Sequence, residues 1–477
     1  MKPVLKFLAE DEIQVLHQSA LKILNDIGMR LPSDEALSIM KSAGAKVTDD
    51  AIVKIPNQLV DDAIGNAPKR NKVTLCARGP EHDVTFNNHD PAIACMTMAT
   101  HVIDPYTGER RSATNEDLAR LTWLADQLEN IKVNGGLVTP QEVPGDINDW
   151  YTWATCIKNT SKHITGGVLG AQCVRDAMRM ASAVTGSKEK FLKRPFISGW
   201  VLTLPPLGIN KESVEALIEL SRWNIPAIVS SGPILGTSSP VTIAGTIAQA
   251  HAEILACLVV SQLTKAGAPF IYTSFARGMD MRTGTVSMAG PEFGVLKGAL
   301  AQMGHFLGLP VRMPGMLRDS KILDAQAGFE TALIGLVTAL NADLMDAMQL
   351  DSDLLVDYAD LVFCNECMGA FKRVSRELVV DEDTMALELI KEIGHGGTFL
   401  DHAHTFENFR AELWLPQLME HRNWDNWETD GALDIRTVSL RKAINLLETK
   451  PENQLSSSVE AEIDKIVKEA QQSCEAS

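Results

Sequence analysis

The chain reads Ile131-Lys-Val-Asn-Gly-Gly-Leu-Val138 and later His163-Ile-Thr-Gly-Gly-Val168. Both runs are short, rich in apolar or β-branched residues and followed by a helical pattern, which is typical of a buried parallel strand in a β/α unit. The glycines fit tight turns at the strand ends. The same unit recurs along the chain at five further runs: residues 196–201, 227–231, 270–274, 311–316 and 343–348.

Seven such units predict an α/β fold, most economically a TIM (β/α)8 barrel. The sequence does not place an eighth strand, so an open doubly wound sheet stays an alternative. The G-x-G-x-x-G fingerprint expected at the first turn of many such sheets is missing. In a barrel, the small residues that follow the predicted strands, such as Gly135-Gly136 and Thr273-Ser274, would surround the active-site mouth.

The barrel is predicted to occupy residues 114–450, with an extension on each side. Residues 1–113 are expected to form an N-terminal extension, helical over residues 10–66 and made of short strands and turns over residues 71–104. Residues 451–477 are polar and helix-prone, which predicts a loosely attached C-terminal tail.

Composition excludes several classes of protein. The 477 residues carry a formal charge of −17, which argues against a nucleic-acid partner because binding to phosphates needs clustered Lys and Arg. We find neither an export signal nor a run of roughly 18 apolar residues, so we expect a cytoplasmic protein without a membrane segment. The eight scattered cysteines are expected to be buried thiols and not a disulfide scaffold.

The common catalytic templates G-x-S-x-G, the Walker loop and H-E-x-x-H do not occur. An acid/base pair could come from Asp319, Asp324 and Glu330, although acidic helix starts are common. No residue is assigned as a catalytic acid or base.

A zinc-dependent barrel enzyme is an alternative of another class. Cys364 and Cys367 have CxxC spacing, and three histidines follow downstream. Against this alternative, both cysteines fall within one predicted helix, where buried core thiols are the simpler interpretation. The expected metal content is none.

Aromatic residues are scarce, so their positions are informative. Trp200 lies near the end of one predicted strand, and Tyr272 and Phe275 lie at the end of another. Aromatic faces with a nearby carboxylate hold a methylammonium group well, although core packing explains such residues equally simply. His402 and His404 could line a pocket or cap the backbone at a turn.

Two stretches combine Gly, His and charged residues with aromatics: Asp319-Ser-Lys-Ile-Leu-Asp-Ala-Gln-Ala-Gly-Phe-Glu330 and Gly394-His-Gly-Gly-Thr-Phe-Leu-Asp-His-Ala-His-Thr-Phe-Glu-Asn-Phe-Arg410. With residues 240–248 and 290–293, they resemble the trimethylamine methyltransferase (MttB) family over residues 10–445. The resemblance implies a TIM barrel that moves a methyl group from an amine to the cobalt of a separate corrinoid protein. Founding members carry a pyrrolysine; its absence here implies the non-pyrrolysine branch.

That branch implies a quaternary amine as substrate. Glycine betaine, giving dimethylglycine, is the first expectation; proline betaine, carnitine and gamma-butyrobetaine are alternatives. A quaternary ammonium releases a neutral amine, so orientation and electrostatics would suffice for catalysis. The carboxylate of such a substrate needs a cation or strong hydrogen-bond donor. The expected substrate-binding residues are Trp200, Tyr272, Phe275 and Arg312, with His402 and His404 as alternatives to Arg312.

The sequence lacks the D-x-H-x-x-G signature of base-off cobalamin domains. A cobalamin (corrinoid) cofactor is therefore expected on a partner protein that docks at the barrel mouth, and not on this chain. A non-catalytic betaine-binding protein is a second alternative class. Apolar helical faces such as residues 327–340 permit a homo-oligomer, but the outer helices of a barrel need the same faces.

Overall fold

The computed structural model describes residues 3–86, 91–95, 98–346, 348–449 and 455–475. The predicted turn at residues 87–90 lies outside these ranges. Eight parallel strands close into a barrel surrounded by helices, which confirms the predicted TIM-barrel fold. The N-terminal elements are α1 (Glu10–Lys22), β1 (Met29–Arg30), α2 (Asp34–Ser42), β2 (Lys46–Val47), β3 (Ile52–Lys54), α3 (Asn57–Asn66), β4 (Thr74–Leu75) and β5 (Val84–Thr85).

The hairpin of β4 and β5 closes one end of the barrel. Leu75 and Phe86 belong to the same buried cluster as Ile228 and Ile271 of the barrel interior. The Nδ1 atom of His163, the first residue of a barrel strand, lies 2.7 Å from the carbonyl oxygen of Cys76. The hairpin therefore covers the amino ends of the strands, and the carboxyl ends form the open mouth.

The barrel region follows in chain order: β6 (Ala92–Ala94), β7 (His101–Ile103), β8 (Arg110–Ser112), α4 (Asn115–Gln127), β9 (Ile131–Gly135), α5 (Asn148–Asn159), β10 (His163–Gly167), α6 (Gly170–Thr185), α7 (Lys188–Lys193), β11 (Ile197–Leu202), α8 (Lys211–Arg222), β12 (Ala227–Ser231), α9 (Ile243–Thr264), β13 (Phe270–Ser274), β14 (Gly278–Asp280), β15 (Thr285–Ser287), α10 (Pro291–Phe306), β16 (Val311–Pro314), α11 (Ala325–Asn341), β17 (Leu344–Asp346), β18 (Leu355–Asp357) and α12 (Tyr358–Ser375). The barrel strands are β6, β9, β10, β11, β12, β13, β16 and β17, and β17 pairs with β6 to close the ring.

Seven of these strands coincide with the seven predicted runs. The strand that the sequence did not place is β6, whose three residues Ala-Ile-Ala carry almost none of the β-branched signal of a buried strand. The barrel consequently begins inside the segment predicted as an extension, and it crosses the predicted boundary between residues 113 and 114.

Helix α9 is the element to weigh against the expectation that no run would span a membrane. It is long and apolar enough to do so, but most of it is buried against the barrel and neighbouring helices, including α1, α2 and α3. Polar residues, among them Gln249, His251 and Glu253, interrupt its apolar sequence, and these three side chains are buried. The helix is part of the protein core.

The C-terminal helices are α13 (Glu382–Met385), α14 (Leu387–Ile393), α15 (Ala403–Glu412), α16 (Trp424–Thr429), α17 (Ile435–Leu447) and α18 (Ser457–Glu475). The prediction of a loose tail was wrong for its described part: α18 packs on α5 and α6 and buries Ile463, Ile466, Val467 and Ala470. These positions repeat at helical spacing within a polar sequence, so the apolar face is narrow.

Candidate functional site

A cavity of about 320 Å³ lies at the mouth of the barrel. Trp200 and Leu202 of β11 line it, as does Asp346, the last residue of β17. The loop after β13 contributes Phe275 and Arg277. In a barrel of parallel strands, side chains at this end are the ones that meet a ligand.

Alternation along each strand decides which side chains face the barrel interior. On β16, Arg312 contacts interior residues, whereas Val311 and Met313 join the outer cluster between strands and helices. On β13 the same alternation puts Ile271 in the interior cluster and Tyr272 in the outer one.

A buried ion pair borders the cavity. Arg312 Nε donates to Asp346 Oδ2 at 2.9 Å, and Arg312 Nη1 donates to Thr165 Oγ1 at 3.3 Å. The guanidinium carbon lies 4.6 Å from the centre of the Trp200 ring, a cation–π contact. Within the described structure, Asp346 Oδ1 is buried without a hydrogen-bond partner. Burial raises the pKa of Asp346, and the positive charge of Arg312 opposes this rise.

A second guanidinium, that of Arg277, also lines the cavity and lies 5.9 Å from the centre of the Phe275 ring. Arg277 Nη1 donates to the carbonyl oxygens of Gly232 and Phe275, each at 3.2 Å. Its Nε has no hydrogen-bond partner among the described residues. Burial lowers the pKa of Arg277, and the negative charge of Asp353 counteracts the effect. Arg277 thus retains donor capacity beside the cavity.

Lys297 of α10 supports the loop that carries these groups. Its Nζ donates to the carbonyl oxygens of Ser274 and Ala276, each at 2.7 Å, and lies 4.3 Å from the ring centre of Phe293. The side chain is completely buried, which lowers the pKa of the amine well below its ordinary value. Lys297 therefore fixes the backbone on which Phe275 and Arg277 sit.

The carboxylates considered for acid/base work hold loops around the mouth. Asp319 accepts hydrogen bonds from Ser287 Oγ at 2.6 Å, Met288 N at 2.9 Å and Ser352 Oγ at 2.7 Å. Glu330 accepts from the backbone N–H groups of Asp319 and Ser320 at 3.0 and 3.1 Å. Asp324 caps α11. All three carboxylates therefore have a structural role, because they stabilise loops or the start of a helix.

A larger, open cavity of about 1030 Å³ adjoins the first one. Arg277 and Met288 line both, and Asp319 and Glu330 line the larger one. The hydrogen bond from Met288 N to Asp319 therefore holds in place a residue that lines both cavities.

Comparison with known proteins identifies the family of this chain. The family model described as trimethylamine methyltransferase (MTTB) matches residues 1–474. The chain belongs to the trimethylamine methyltransferase family. It is 32% identical to the trimethylamine methyltransferase MttB of Desulfitobacterium hafniense (strain DSM 10664 / DCB-2), over 97% of this chain and 93% of that protein.

A second relative of this family member bears a different name. The glycine betaine methyltransferase of Desulfitobacterium hafniense (strain Y51) is 30% identical over 89% of each chain. Among solved structures, the Methanosarcina barkeri monomethylamine methyltransferase (MtmB) matches with a TM-score of 0.48 and 12% identity, over 97% of this chain and 92% of that one. The family establishes a methyltransferase, while the two names leave its amine undecided.

The structure brings together three of the predicted site residues of this methyltransferase. Trp200 and Phe275 line the mouth cavity, and Arg312 contacts Trp200. Arg312 lies within β16 and is fully buried, so its main partner is Asp346.

Tyr272 does not reach the cavity. Its hydroxyl lies 3.0 Å from His251 Nδ1, and His251 Nε2 lies 3.0 Å from His17 Nδ1, all in the helix layer. The prediction that Tyr272 binds substrate was wrong because it depended on the strand end, whereas the phase of alternation turns this side chain outward.

His402 and His404 do not reach the cavity either. Nδ1 of His402 accepts the backbone N–H of His404 at 3.1 Å and caps α15. Both residues belong to an exposed C-terminal segment. Of the two interpretations left open for them, the cap is the one the structure shows for His402.

Sequence reasoning missed Arg277 and Asp346. Asp346 could have been selected from the sequence, because it is a charged residue inside an apolar predicted strand. Arg277 follows its predicted strand by only a few residues, but nothing in the sequence separates it from a surface arginine.

The donor set considered for zinc is not assembled. Cys364 and Cys367 are buried on α12, where Arg318 Nη1 donates to Cys364 Sγ at 3.0 Å. Burial raises the pKa of the Cys364 thiol to about 12, which disfavours a thiolate ligand. Among the described side chains, no group of three or more His, Cys, Asp or Glu residues is placed to hold a metal ion.

Proposed function

We propose that this chain transfers a methyl group from a quaternary amine, glycine betaine first, to a corrinoid held by a separate protein. The observation that carries the proposal is the mouth cavity, which is lined by two aromatic rings, a partly unpaired carboxylate and a guanidinium with an unused donor. A small zwitterion has the complementary charges. The glycine betaine methyltransferase among the relatives supports the same substrate.

The ammonium end would lie between Trp200 and Phe275, near Asp346. Aromatic faces attract a methylated ammonium by about 0.5–2 kcal/mol, most strongly where water is excluded. Asp346 Oδ1 accepts no hydrogen bond in the described structure, so this oxygen is available to the ammonium group. Arg312 holds this carboxylate in place from behind.

The carboxylate end would bind Arg277, not Arg312 as predicted. Arg312 Nη2 also lacks a partner among the described residues, but Arg312 does not line the cavity, and its other contacts are to Asp346, Thr165 and the Trp200 ring. Arg277 lines the cavity and has a buried Nε without a partner in the described residues. A guanidinium recognises a carboxylate with paired, charge-assisted hydrogen bonds.

The reaction asks for no proton from this chain. The carbon–nitrogen bond breaks with both electrons remaining on nitrogen, so glycine betaine leaves as dimethylglycine. The partner's corrinoid supplies the nucleophile, a reduced cobalt. The chain would orient one methyl group toward the mouth and exclude water, which accounts for catalysis by positioning and electrostatics.

The larger cavity beside the site is our candidate entrance for the corrinoid. It is open and shares Arg277 and Met288 with the amine cavity, so a ring bound there would approach the bound amine. We further propose that the protein works in the cytoplasm. All eight cysteines lie in described ranges as free thiols, in keeping with a reducing compartment.

The test is an anaerobic assay with free cob(I)alamin. Glycine betaine, proline betaine, carnitine, gamma-butyrobetaine and trimethylamine are supplied one at a time, and loss of the Co(I) absorbance is followed. The proposal predicts methylation with a betaine, glycine betaine fastest, and none with trimethylamine. Activity with trimethylamine alone would refute the substrate, and binding of glycine betaine without turnover, even with a corrinoid protein, would favour a betaine-binding protein.

A further inference from the structure

The segment from residue 376 to residue 417, which we call the arm, has no interior of its own. Every residue in this range is described, and none is buried. The arm nevertheless forms α13, α14 and α15. Ordering a backbone costs roughly 1–2 kcal/mol per residue, and burial of apolar surface normally offsets this cost. Contacts within one copy of the chain do not provide that burial.

The arm exposes an unusual amount of apolar surface. Nine of its large apolar side chains are more than half exposed, among them Leu378 at 75%, Val380 at 69%, Leu400 at 83% and Phe406 at 71%. At roughly 60–120 Å² per fully exposed side chain, they present on the order of 500 Å². A standard protein interface buries about 800 Å² on each partner, of which roughly 60% is apolar. The arm therefore presents the apolar area of one standard interface.

The arm leaves the barrel at the end opposite the mouth. Helix α12 begins beside the mouth and runs back along the barrel, as a helix in a β/α unit does. The side chain of Asn365, in the middle of α12, already accepts from the backbone N–H of Asn130, which precedes the first residue of β9. Ser375 lies ten residues further, about 15 Å along a helix. A protein seated on the arm would not face the methyl-transfer cavity of the same chain.

Charges at the base of the arm are complementary to the arm itself. The arm contains nine Asp or Glu residues and three Lys or Arg residues. A groove of about 460 Å³ at its base is lined by Lys372, Arg373, Arg376 and Arg410, with Glu129 and Glu366. The Glu366 carboxylate already accepts the backbone N–H groups of Gln417 and Leu418. Arg376 and Arg410 belong to the arm, and Arg373 of α12 pairs with Glu412 of the arm at 3.3 Å, so the basic groove is formed jointly by α12 and the ends of the arm, while the acidic residues of the arm lie mostly between those ends.

We propose that the arm packs on a second copy of this chain and makes the enzyme a homo-oligomer. A surface that carries both halves of an interface closes by two-fold symmetry, each copy giving its arm to the other. The apolar area suits a permanent contact, whereas a corrinoid protein must bind and leave at the mouth. The longest stretch outside the described ranges, residues 450–454, is too short to cover the arm.

The test is the mass of the full-length protein by sedimentation velocity. We expect wild type to sediment as a dimer or a larger even-numbered assembly. The variant Leu400→Asp/Phe406→Asp should sediment as a monomer with an unchanged circular dichroism spectrum. The control Val15→Asp/Val241→Asp changes residues of similar exposure, 66% and 65%, outside the arm and should keep the wild-type mass. Monomeric wild type, an oligomeric arm variant or a dissociated control would each overturn the proposal.

Hydrogen exchange of the wild type gives a second readout that needs no variant. Amides of α14 and α15 should be protected in the oligomer and should lose this protection as the protein is diluted to monomer. Arm amides that exchange freely in an oligomer would refute the proposal. Protection that appears only on addition of a corrinoid protein would likewise refute it and identify that protein as the occupant.

Discussion

At the scale of single residues, the mouth contains buried charged groups that differ in how many of their hydrogen-bonding atoms already have partners. Arg312, Asp346 and Lys297 are each fully or almost fully buried, and each is bonded mainly within the protein. Arg277 Nε and Arg312 Nη2 both have no hydrogen-bond partner among the described residues, and of the two arginines Arg277 lines the cavity. Substitution of such buried groups can change the free energy of unfolding, the affinity for the amine, or both, so the two quantities are measured separately.

The first prediction concerns Arg277. In Arg277→Gln, an amide replaces the guanidinium and cannot pair with a carboxylate as a cation. A hydrogen bond to a charged group is worth about 1.5–3 kcal/mol, so affinity for glycine betaine should fall about 10- to 100-fold. Affinity for tetramethylammonium should stay nearly unchanged, because it lacks the carboxylate. Titration calorimetry with both ligands measures the difference.

Arg282→Gln is the matched control, because Arg282 is an exposed arginine on the neighbouring hairpin, paired with Asp280. It should bind both ligands as wild type does. Equal losses for both ligands in Arg277→Gln would show that Arg277 acts on the fold of the site and not on the carboxylate.

The second prediction concerns the Arg312–Asp346 pair. Asp346→Asn leaves Arg312 buried without a counter-charge, and breaking such a pair costs about 3–5 kcal/mol. The double variant Arg312→Met/Asp346→Leu removes both charges and should be more stable than the single one. Urea unfolding of the three proteins tests this order. Asp280→Asn, which breaks an exposed pair, should leave the free energy of unfolding almost unchanged; a single variant as mild as this control contradicts the account.

At the scale of elements, α4 begins in a network around one carboxylate. Asp117 receives hydrogen bonds from Arg111 Nη1 at 2.6 Å, from Tyr358 Oη at 2.9 Å and from Thr114 N at 2.9 Å. The bonds from Arg111, Thr114 and Tyr358 outweigh burial and hold the pKa of Asp117 below its ordinary value. The network ties α4 to β8 and α12 beside the mouth.

The third prediction is a pH dependence from Asp117. A lowered folded-state pKa stabilises the fold above the unfolded value, about 3.9, and this contribution is lost as pH falls through the folded value. Asp117→Asn should therefore cost about 2–4 kcal/mol at neutral pH, by loss of charged hydrogen bonds and a cap. Urea unfolding of both proteins should show this gap narrowing below about pH 4. A gap that stays constant or widens in acid would count against the assignment.

The fourth prediction concerns α18. Ile466 is fully buried where this helix meets α5 and α6, so Ile466→Ala should lower the free energy of unfolding by about 2–4 kcal/mol. Glu462→Ala, on the exposed side of the same helix, should change it by less than about 0.5 kcal/mol. Similar small effects for both would mean that the helix is not docked.

The elements also show what the sequence could and could not predict. Parallel strands are buried on both faces, so seven of them appear as apolar runs of fitting length. Strand β6 has three small residues and no such run. Tyr272 was misassigned because tertiary packing fixes the phase of alternation. The apolar residues of the arm resemble core residues in sequence, and only the fold shows that they are exposed.

At the scale of the whole molecule, the two ends of the barrel have different tasks. The amino end of the barrel is closed by the β4–β5 hairpin, and the arm begins on that side, after the end of α12. The carboxyl end carries the amine cavity and the larger open cavity. In the proposed function, a corrinoid protein approaches the mouth while the arms keep the copies together, so the two contacts do not compete for one surface.

The most direct test of the central claim is a crystal structure of the protein with glycine betaine bound. The account predicts the trimethylammonium group between Trp200 and Phe275 beside Asp346, the carboxylate on Arg277, and one methyl group facing the mouth. Ligand density elsewhere in the molecule, or a carboxylate bound to another cation with Arg277 untouched, would contradict the account.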